Sequence, residues 1–373
     1  MTRTLASTPA ADGFRMPGEF EPHAGCWMLW PERPDNWRAA ARPAQLAFAQ
    51  VAAAIAQFEL VTVGVSAAHY EAARALLPER VRVLEMAHDD AWMRDVGPTG
   101  VVNRGGVVRG VDWRFNAWGG LNGGLYFPWD QDDLVARKVL ETERLDRYRA
   151  PMVNEGGAIH VDGQGTALVT EECLLNPNRN PRFERSDIER HLREYLGVRK
   201  ILWLGKGIVN DETGGHIDDL ACFVRPGVVC LTWTDRRGDP QYAISLDAFE
   251  RLQEARDARG RRLKVVRLPM PGPLYMRASE ATGIIPKEGS RPRVAGERLA
   301  ATYVNFYLAN GGIVMPLLDP RTDAVAAARL KRLFPGRRVV GVPSREILLG
   351  GGNIHCITQQ IPAGTRSRSP SAR

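Results

Sequence analysis

The sequence predicts a mixed α/β protein built from a repeated unit, on three observations. Helical and strand periodicities alternate along the chain, glycine doublets recur ahead of short apolar runs, and residues of catalytic type accompany the doublets. In chain order, Phe48, Val51, Ile55 and Phe58 recur at helical spacing and predict a helix over residues 44–58. Residues 60–65 follow as a β-branched strand, whose side chains suit a pleated surface. Ser66 is placed to cap a second helix running to Leu77, because its hydroxyl can accept from an unpaired N–H of the first turn, and residues 81–84 read as the next strand. The alternation returns late in the chain. Val325, Ala328, Leu330 and Leu333 predict a helix stopped by Pro335-Gly336, and residues 339–342 predict a strand. Between these, residues 157–170 and 220–233 read as hairpins, the second turning at Arg225-Pro226-Gly227.

The repeat shows in the glycine doublets. Gly156-Gly157-Ala158-Ile159-His160 is echoed by Gly351-Gly352-Asn353-Ile354-His355 and, more loosely, by Gly214-Gly215-His216-Ile217-Asp218. A glycine doublet lets backbone approach a ligand or a neighbour closely, because no Cβ intervenes. Glu155 precedes the first doublet, His216 and Asp218 belong to the second, Cys356 ends the third, and Asp95 lies in a fourth polar stretch, Trp92-Met93-Arg94-Asp95-Val96-Gly97-Pro98. The steps are 60 residues from Asp95 to Glu155, 61 from Glu155 to His216, and 140, or twice 70, from His216 to Cys356. One reactive group per repeat, at equivalent ends of the units, would converge on a central axis, as in propeller-like architectures.

Composition narrows the class. With 373 residues, 44% hydrophobic and 25% charged, the chain can bury a substantial core. The first fifteen residues hold no apolar stretch suited to a signal peptide, and no apolar run is long enough to span a bilayer. Five scattered cysteines fit a reducing compartment, so a cytoplasmic protein is expected. The net charge of +7 raises a nucleic-acid reading, but Arg366, Arg368 and Arg373 lie in a Ser/Pro/Ala tail and leave +4 without them. The other basic cluster, from Arg256 to Lys264, is placed at the end of a predicted helix, where cations suit the helix dipole, and it lacks the interleaved aromatics of a single-strand platform.

A thiol beside an imidazole supplies a nucleophile and a general acid/base. Several carboxylates in the same pocket would raise the thiol pKa and repel an oxyanion, which suits acyl transfer poorly. They fit a cationic substrate instead. A guanidinium is planar and offers paired N–H donors that carboxylates accept bidentately. Thiolate attack on its central carbon, loss of ammonia after protonation by His216, and attack by water deprotonated by the same imidazole would give a ureido product. A metal on His216 and Asp218 is the chemical competitor, but no further histidine stands at ligand spacing.

The run from Gly350 to Gln360, which contains Gly351-Gly352-Asn353-Ile354-His355-Cys356, resembles the nucleophile motif of the agmatine deiminases, in the guanidine-modifying (pentein) superfamily with the peptidylarginine-deiminase-like proteins. Asp211-Glu212-Thr213-Gly214-Gly215-His216-Ile217-Asp218 resembles their histidine motif, and the stretches Trp92 to Pro98, Asn154 to Gly157, Ala295 to Leu299 and Met16 to His23 agree. The resemblance runs from Met16 to Pro362; Ile361, where a third glutamine is expected, departs from it. It implies a five-bladed pseudo-symmetric α/β propeller. It also implies Cys356 as nucleophile, His216 as acid/base, Asp95 and Asp218 as guanidinium clamps, and Glu155 as the partner orienting His216. It implies neither a metal nor an organic cofactor.

The expected organisation is a poorly ordered lead-in over residues 1–15, a single catalytic domain over 16–362, and a disordered basic tail over 363–373. The expected partners are the small-molecule substrate and a second copy in a homodimer, with no nucleic acid and no membrane. Agmatine is the favoured substrate, giving N-carbamoylputrescine and ammonia in putrescine and polyamine biosynthesis. Arginine deiminase or amidinotransferase chemistry on the same scaffold, and a non-enzymatic basic binding protein, are the alternatives. An arginine-specific site needs an Arg or Lys aimed at the substrate carboxylate. The motifs here supply Glu212 as the first candidate for the agmatine ammonium and Asp211 as the second, with Trp92, Trp113 and Trp118 to flank the alkyl chain. His160 and His355, aligned by the echo, read as structural; Asp89 and Asp90 read as a cap or turn, and Arg94 as the partner of a neighbouring carboxylate.

Overall fold

Five sheets share one internal order among the described residues, 2–364 of the computed structural model: an antiparallel pair, then a strand added in parallel. Thr99–Asn103 and Val108–Arg114 form the antiparallel pair of one unit, and Arg147–Val153 joins in parallel after the helix Val135–Thr142. His160–Val161, Thr166–Thr170 and Lys200–Leu204 repeat this pattern around the helix Arg185–Leu196. Ala221–Arg225, Val228–Trp233 and Lys264–Pro269 repeat it around Pro240–Glu254, and Tyr307–Ala309, Gly312–Leu317 and Arg338–Pro343 around Asp323–Leu333. The fifth unit takes its two halves from opposite ends of the chain. The late strand Gln359–Pro362 pairs antiparallel with His23–Leu29, which carries Val61–Val65 and then Arg82–Glu85 in parallel. That pairing closes the fifth unit from the two ends of the chain, and five such units are compatible with the five-bladed expectation.

Local chemistry explains the crossovers. Parallel strands need a long connection, and a helix packed on the sheet is the usual one. Asp239 accepts from the N–H of Gln241 and Pro240 opens the helix, where its missing N–H costs nothing. Gly197, at φ +67°, ends the helix Arg185–Leu196 in the left-handed region that a side chain disfavours. All of Val61–Val65 and Val228–Trp233 is buried, as befits inner strands of layered α/β sheets.

Several expectations shift in detail. The helix predicted over 44–58 is Arg42–Ile55; it opens earlier because Pro43 fits the first turn. Ser66 does not cap backbone: its hydroxyl meets His69 Nδ1 at 3.1 Å, and a single tight turn, Ala67–His69, precedes the helix Tyr70–Leu76. The basic cluster lies beyond the helix end, in a small turn where Arg256 pairs with Arg262 and Asp257 accepts from the N–H groups of Arg259 and Arg261. The lead-in expected to be poorly ordered is instead tied to a sheet: Thr4–Leu5 pairs with Arg147–Val153 and Phe14–Arg15 with Thr99–Asn103, covering both edges. Unpaired edge N–H and C=O groups make such pairing favourable, and the Phe14 ring is buried beneath it. Thr365 to Arg373, in the tail, lies outside the described residues.

The repeat also explains the residue intervals. Each reactive residue stands just ahead of the first strand of its unit: Asp95 before Thr99–Asn103, Glu155 before His160–Val161, His216 and Asp218 before Ala221–Arg225, and Cys356 before Gln359–Pro362. The interval of 140 hides a fifth such place, before Tyr307–Ala309, and Asn305 occupies it.

Candidate active site

Cys356, His216, Glu155, Asp95 and Asp218 are all buried and meet in one cluster. Gly157 shows how tightly they converge: a Cβ there would lie 2.4 Å from His216 Nδ1, 2.9 Å from Asp95 Oδ1 and 3.0 Å from Asp218 Oδ2. Only glycine fits. The Cys356 sulfur lies 3.7 Å from Asp218 Oδ2. His216 Nε2 faces Glu155 Oε2 at 3.5 Å, while Nδ1 stands 3.8 Å from Asp95 Oδ1 and 3.9 Å from Asp218 Oδ1.

Each side chain is held from behind. Asp211 accepts from the N–H groups of Thr213, Gly215 and His216, the last at 2.6 Å, and so shapes the loop that presents His216. Glu155 accepts from Arg179 Nε at 3.0 and 3.1 Å, and Arg179 also bonds the Thr213 carbonyl. Asp95 accepts from the N–H of Gly157 and from Trp118 Nε1, both at 3.0 Å. His355 Nδ1 meets Asp218 Oδ2 at 2.7 Å, and its Nε2 meets Glu19 at 3.0 Å. Arg94 pairs with Glu19, and His160 Nδ1 accepts from the N–H of Phe223. His160 and His355 are therefore hydrogen-bonded groups behind the cluster.

The charges divide accordingly. Burial opposes the charge of Glu155, but Arg179 and His216 outweigh it and lower its pKa. Burial opposes that of Asp218 too, and the hydrogen bond and charge of His355 outweigh it. Asp95 has less help: burial, reinforced by Asp218 and Glu155, pushes it up to about 6 against the pull of His216. Asp219, buried beside Asp218, is raised well above the usual carboxylate range. Burial disfavours a charged His216, yet Asp95, Cys173 and Glu155 around the ring raise it well above an ordinary histidine. Burial, then Asp218, Asp219 and Asp95, push the Cys356 thiol well up. These neighbours favour the imidazolium form of His216 and the protonated form of the Cys356 thiol.

A pocket opens onto this cluster, lined by Cys356, Asp95, Trp92, Trp118, Glu212 and the Gly350–Gly352 backbone. His216, Glu155 and Asp218 stand behind that wall. Two expected contacts are corrected. Trp113 is on Val108–Arg114, its ring buried in a separate cluster and its Nε1 donating to Thr99 at 2.9 Å. Asp211 is spent on its own loop and does not line the pocket. Glu212 does line it: one oxygen pairs with Arg293, and the buried Oε2 has no hydrogen-bond partner among the described residues. Asp90, read as a cap or turn, also reaches the wall and accepts from Trp37, Trp92 and Arg33. The residues missed from sequence are Asn305, Glu19, Arg179 and the cations Arg33, Arg291 and Arg293. Only Asn305 had a signal, the unfilled place in the repeat. The two groups with metal-ligand spacing, Glu155–Cys173–His216 and Asp218–Asp219–Cys356, share Glu155, His216, Asp218 and Cys356 with this cluster, so a metal there would compete with a substrate.

A buried thiol, an imidazole and carboxylates arranged to receive a cation define the class, and comparison agrees. The model of the Porphyromonas-type peptidyl-arginine deiminase family matches residues 15–362, and the chain belongs to that family. Within it, the chain is similar to proteins named for one activity. It is 60% identical to an agmatine deiminase of Pseudomonas aeruginosa over 359 residues, covering 96% of this chain and 98% of that one. It is 58% identical to a putative agmatine deiminase of Latilactobacillus sakei over 97% of this chain and all of the relative. The solved agmatine deiminase of Enterococcus faecalis superposes with a TM-score of 0.95 at 49% identity, over 97% of this chain and 100% of that one. No helix among the described residues is long and apolar enough to cross a membrane.

Proposed function

We propose that the chain hydrolyses agmatine to N-carbamoylputrescine and ammonia through a covalent amidino-cysteine intermediate. The observation that carries this reading is the convergence of Cys356 and His216 on the carboxylates Asp95 and Asp218, with Cys356 and Asp95 reaching into one pocket and His216 and Asp218 directly behind them. In this reading residues 16–362 act as one catalytic domain, in the reducing cytoplasm that five buried, unpaired cysteines suit. The product is the ureido derivative of putrescine, which places the reaction in putrescine biosynthesis.

The guanidinium enters between Asp95 and Asp218, which accept its N–H groups. Its charge cancels the carboxylate field that keeps the thiol protonated, so substrate binding promotes release of the thiol proton to solvent and leaves the thiolate, while His216 keeps its own proton for the leaving group. The Cys356 sulfur bonds to the guanidinium carbon. The bond from that carbon to a terminal nitrogen then breaks, and the nitrogen leaves as ammonia with a proton from His216. Water, deprotonated by the same imidazole, attacks the thioether carbon; the C–S bond breaks and the ureido product departs. Glu155, itself held by Arg179, keeps the imidazole aligned for both transfers. Because Asp95 must be ionised to bind a guanidinium and its raised pKa is about 6, kcat/KM should fall as pH drops through that value. A profile flat down to pH 4.5 would remove Asp95 from the binding step.

At the other end, the free Oε2 of Glu212 is the preferred acceptor for the agmatine ammonium, with Trp92 and Trp118 beside the alkyl chain. Arg33, Arg291 and Arg293 also reach this wall, but each is already paired: Arg33 with Asp35 and Asp90, Arg291 with Glu297, Arg293 with Glu212. An arginine carboxylate would have to displace an acid from one of them. The test is ammonia release from agmatine, arginine and a peptidyl arginine, compared by kcat/KM. Agmatine should be far the best. Equal efficiency with arginine would overturn the substrate while leaving the guanidine chemistry. Glu212→Gln should narrow the ratio of agmatine to arginine; an unchanged ratio would remove Glu212 from the tail site.

A further inference from the structure

We propose that Asn305 is a further catalytic residue, whose side-chain amide donates to the sulfur of Cys356 and stabilises the thiolate; the inference rests on the deimination reading above. Asn305 is fully buried and stands ahead of Tyr307–Ala309, at the place in its unit that the other reactive residues hold in theirs. Its Oδ1 accepts from the N–H of His355 at 2.9 Å and from that of Cys356 at 3.3 Å. These two bonds settle the amide's orientation, because turning it over would set an NH₂ group against two N–H donors. Nδ2 therefore faces the sulfur, at 3.1 Å.

The effect on the two protonation states is unequal. A protonated sulfur can donate to Asp218 Oδ2 at 3.7 Å or share Oδ1 of Asn305 at 3.5 Å. An ionised sulfur can only accept, and a donor to a charged atom gains more than a donor to a neutral one. Asp218, Asp219 and Asp95 all oppose the thiolate. Guanidinium binding relieves that opposition only while substrate cation remains in the site. When the product leaves, the C–S bond has broken and the sulfur departs from a neutral urea. Asn305 then supplies a donor for the sulfur that does not leave with the product.

Two variants separate donation from tethering. Asn305→Asp keeps an oxygen for the two backbone N–H groups but has no Nδ2 donor, and Asn305→Ala removes donor and tether without adding charge. The readout is the pH dependence of Cys356 alkylation by iodoacetamide, followed on its own peptide by mass spectrometry without substrate, alongside kcat and KM for agmatine. Both variants should shift the alkylation profile to higher pH and lower kcat by about 10- to 100-fold, the range of one hydrogen bond to a charged group, with a smaller change in KM. An unchanged alkylation profile in Asn305→Ala would overturn the proposal, as would native kcat in Asn305→Asp. Should Asn305→Ala fail to fold, Asn305→Leu, uncharged and of similar size, takes its place, because the carboxylate of Asn305→Asp raises the thiol pKa by its charge alone; an unchanged alkylation profile there would overturn the proposal. Alkylation needs no agmatine, so a native enzyme inert toward agmatine would sink the substrate reading and leave this result standing.

Discussion

Cys356→Ser is expected to lose turnover by several orders of magnitude while its melting temperature stays near that of the native protein. The sulfur is buried in a site that disfavours negative charge, and a hydroxyl there is far harder to ionise than a thiol. Serine fills almost the same space, and Gly352, whose Cβ would come 3.0 Å from the sulfur, already leaves that position uncrowded. The variant should still bind agmatine, because Asp95, Asp218 and Glu212 are untouched, and a calorimetric titration would read that directly. Retention of most of the activity would exclude a covalent route through this residue.

Asp218→Asn should separate two properties that normally move together. Asp218 is the foremost charged neighbour raising the Cys356 pKa, so neutralising it should make the thiol easier to alkylate. The same change removes a guanidinium partner, and breaking a buried charged pair costs about 2–5 kcal/mol, or roughly 30- to 5,000-fold in kcat/KM. A more reactive sulfur in a much poorer enzyme is the expected signature. Asp95→Asn should lose kcat/KM over a similar range and lose the acid limb near pH 6 as well, since no carboxylate remains there to titrate. Native kinetics in both variants would make these carboxylates structural only.

The parts legible in the sequence were those that a repeat or a local periodicity forces. The glycine doublet at Gly156-Gly157 marked the site because Gly157 touches three of its side chains, so the physical requirement for no Cβ was written as a motif. Cys356 and His216 stood beside equivalent doublets. Asn305 escaped because its unit has no doublet ahead of the first strand; only the long interval between His216 and Cys356 hinted at it. Asp211 was legible in principle. An Asp two residues before Thr213 and four before Gly215 is placed to accept from its own loop, and that local demand outcompeted a role at the pocket. Trp113 shares a strand face with Val111, which period-two alternation assigns to a core. Glu19 and Arg179 could not have been found this way. Glu19 reaches His355 across 336 residues, and Arg179 lies between short turns with no repeat partner. The ordering of residues 2–15 was missed for a related reason, since edge pairing depends on where other strands end.

The most direct test of the covalent deimination account is the mass carried by Cys356 during turnover. Native enzyme mixed with agmatine and quenched in acid should show an adduct on the Cys356 peptide equal to agmatine less ammonia, because ammonia leaves before water enters. That adduct should decay as N-carbamoylputrescine appears. An adduct on Cys356 equal to a bare amidino group would mean that the alkylamine leaves first, as in an amidinotransferase, and an adduct on Cys26 or Cys173 instead would contradict the assignment of the nucleophile.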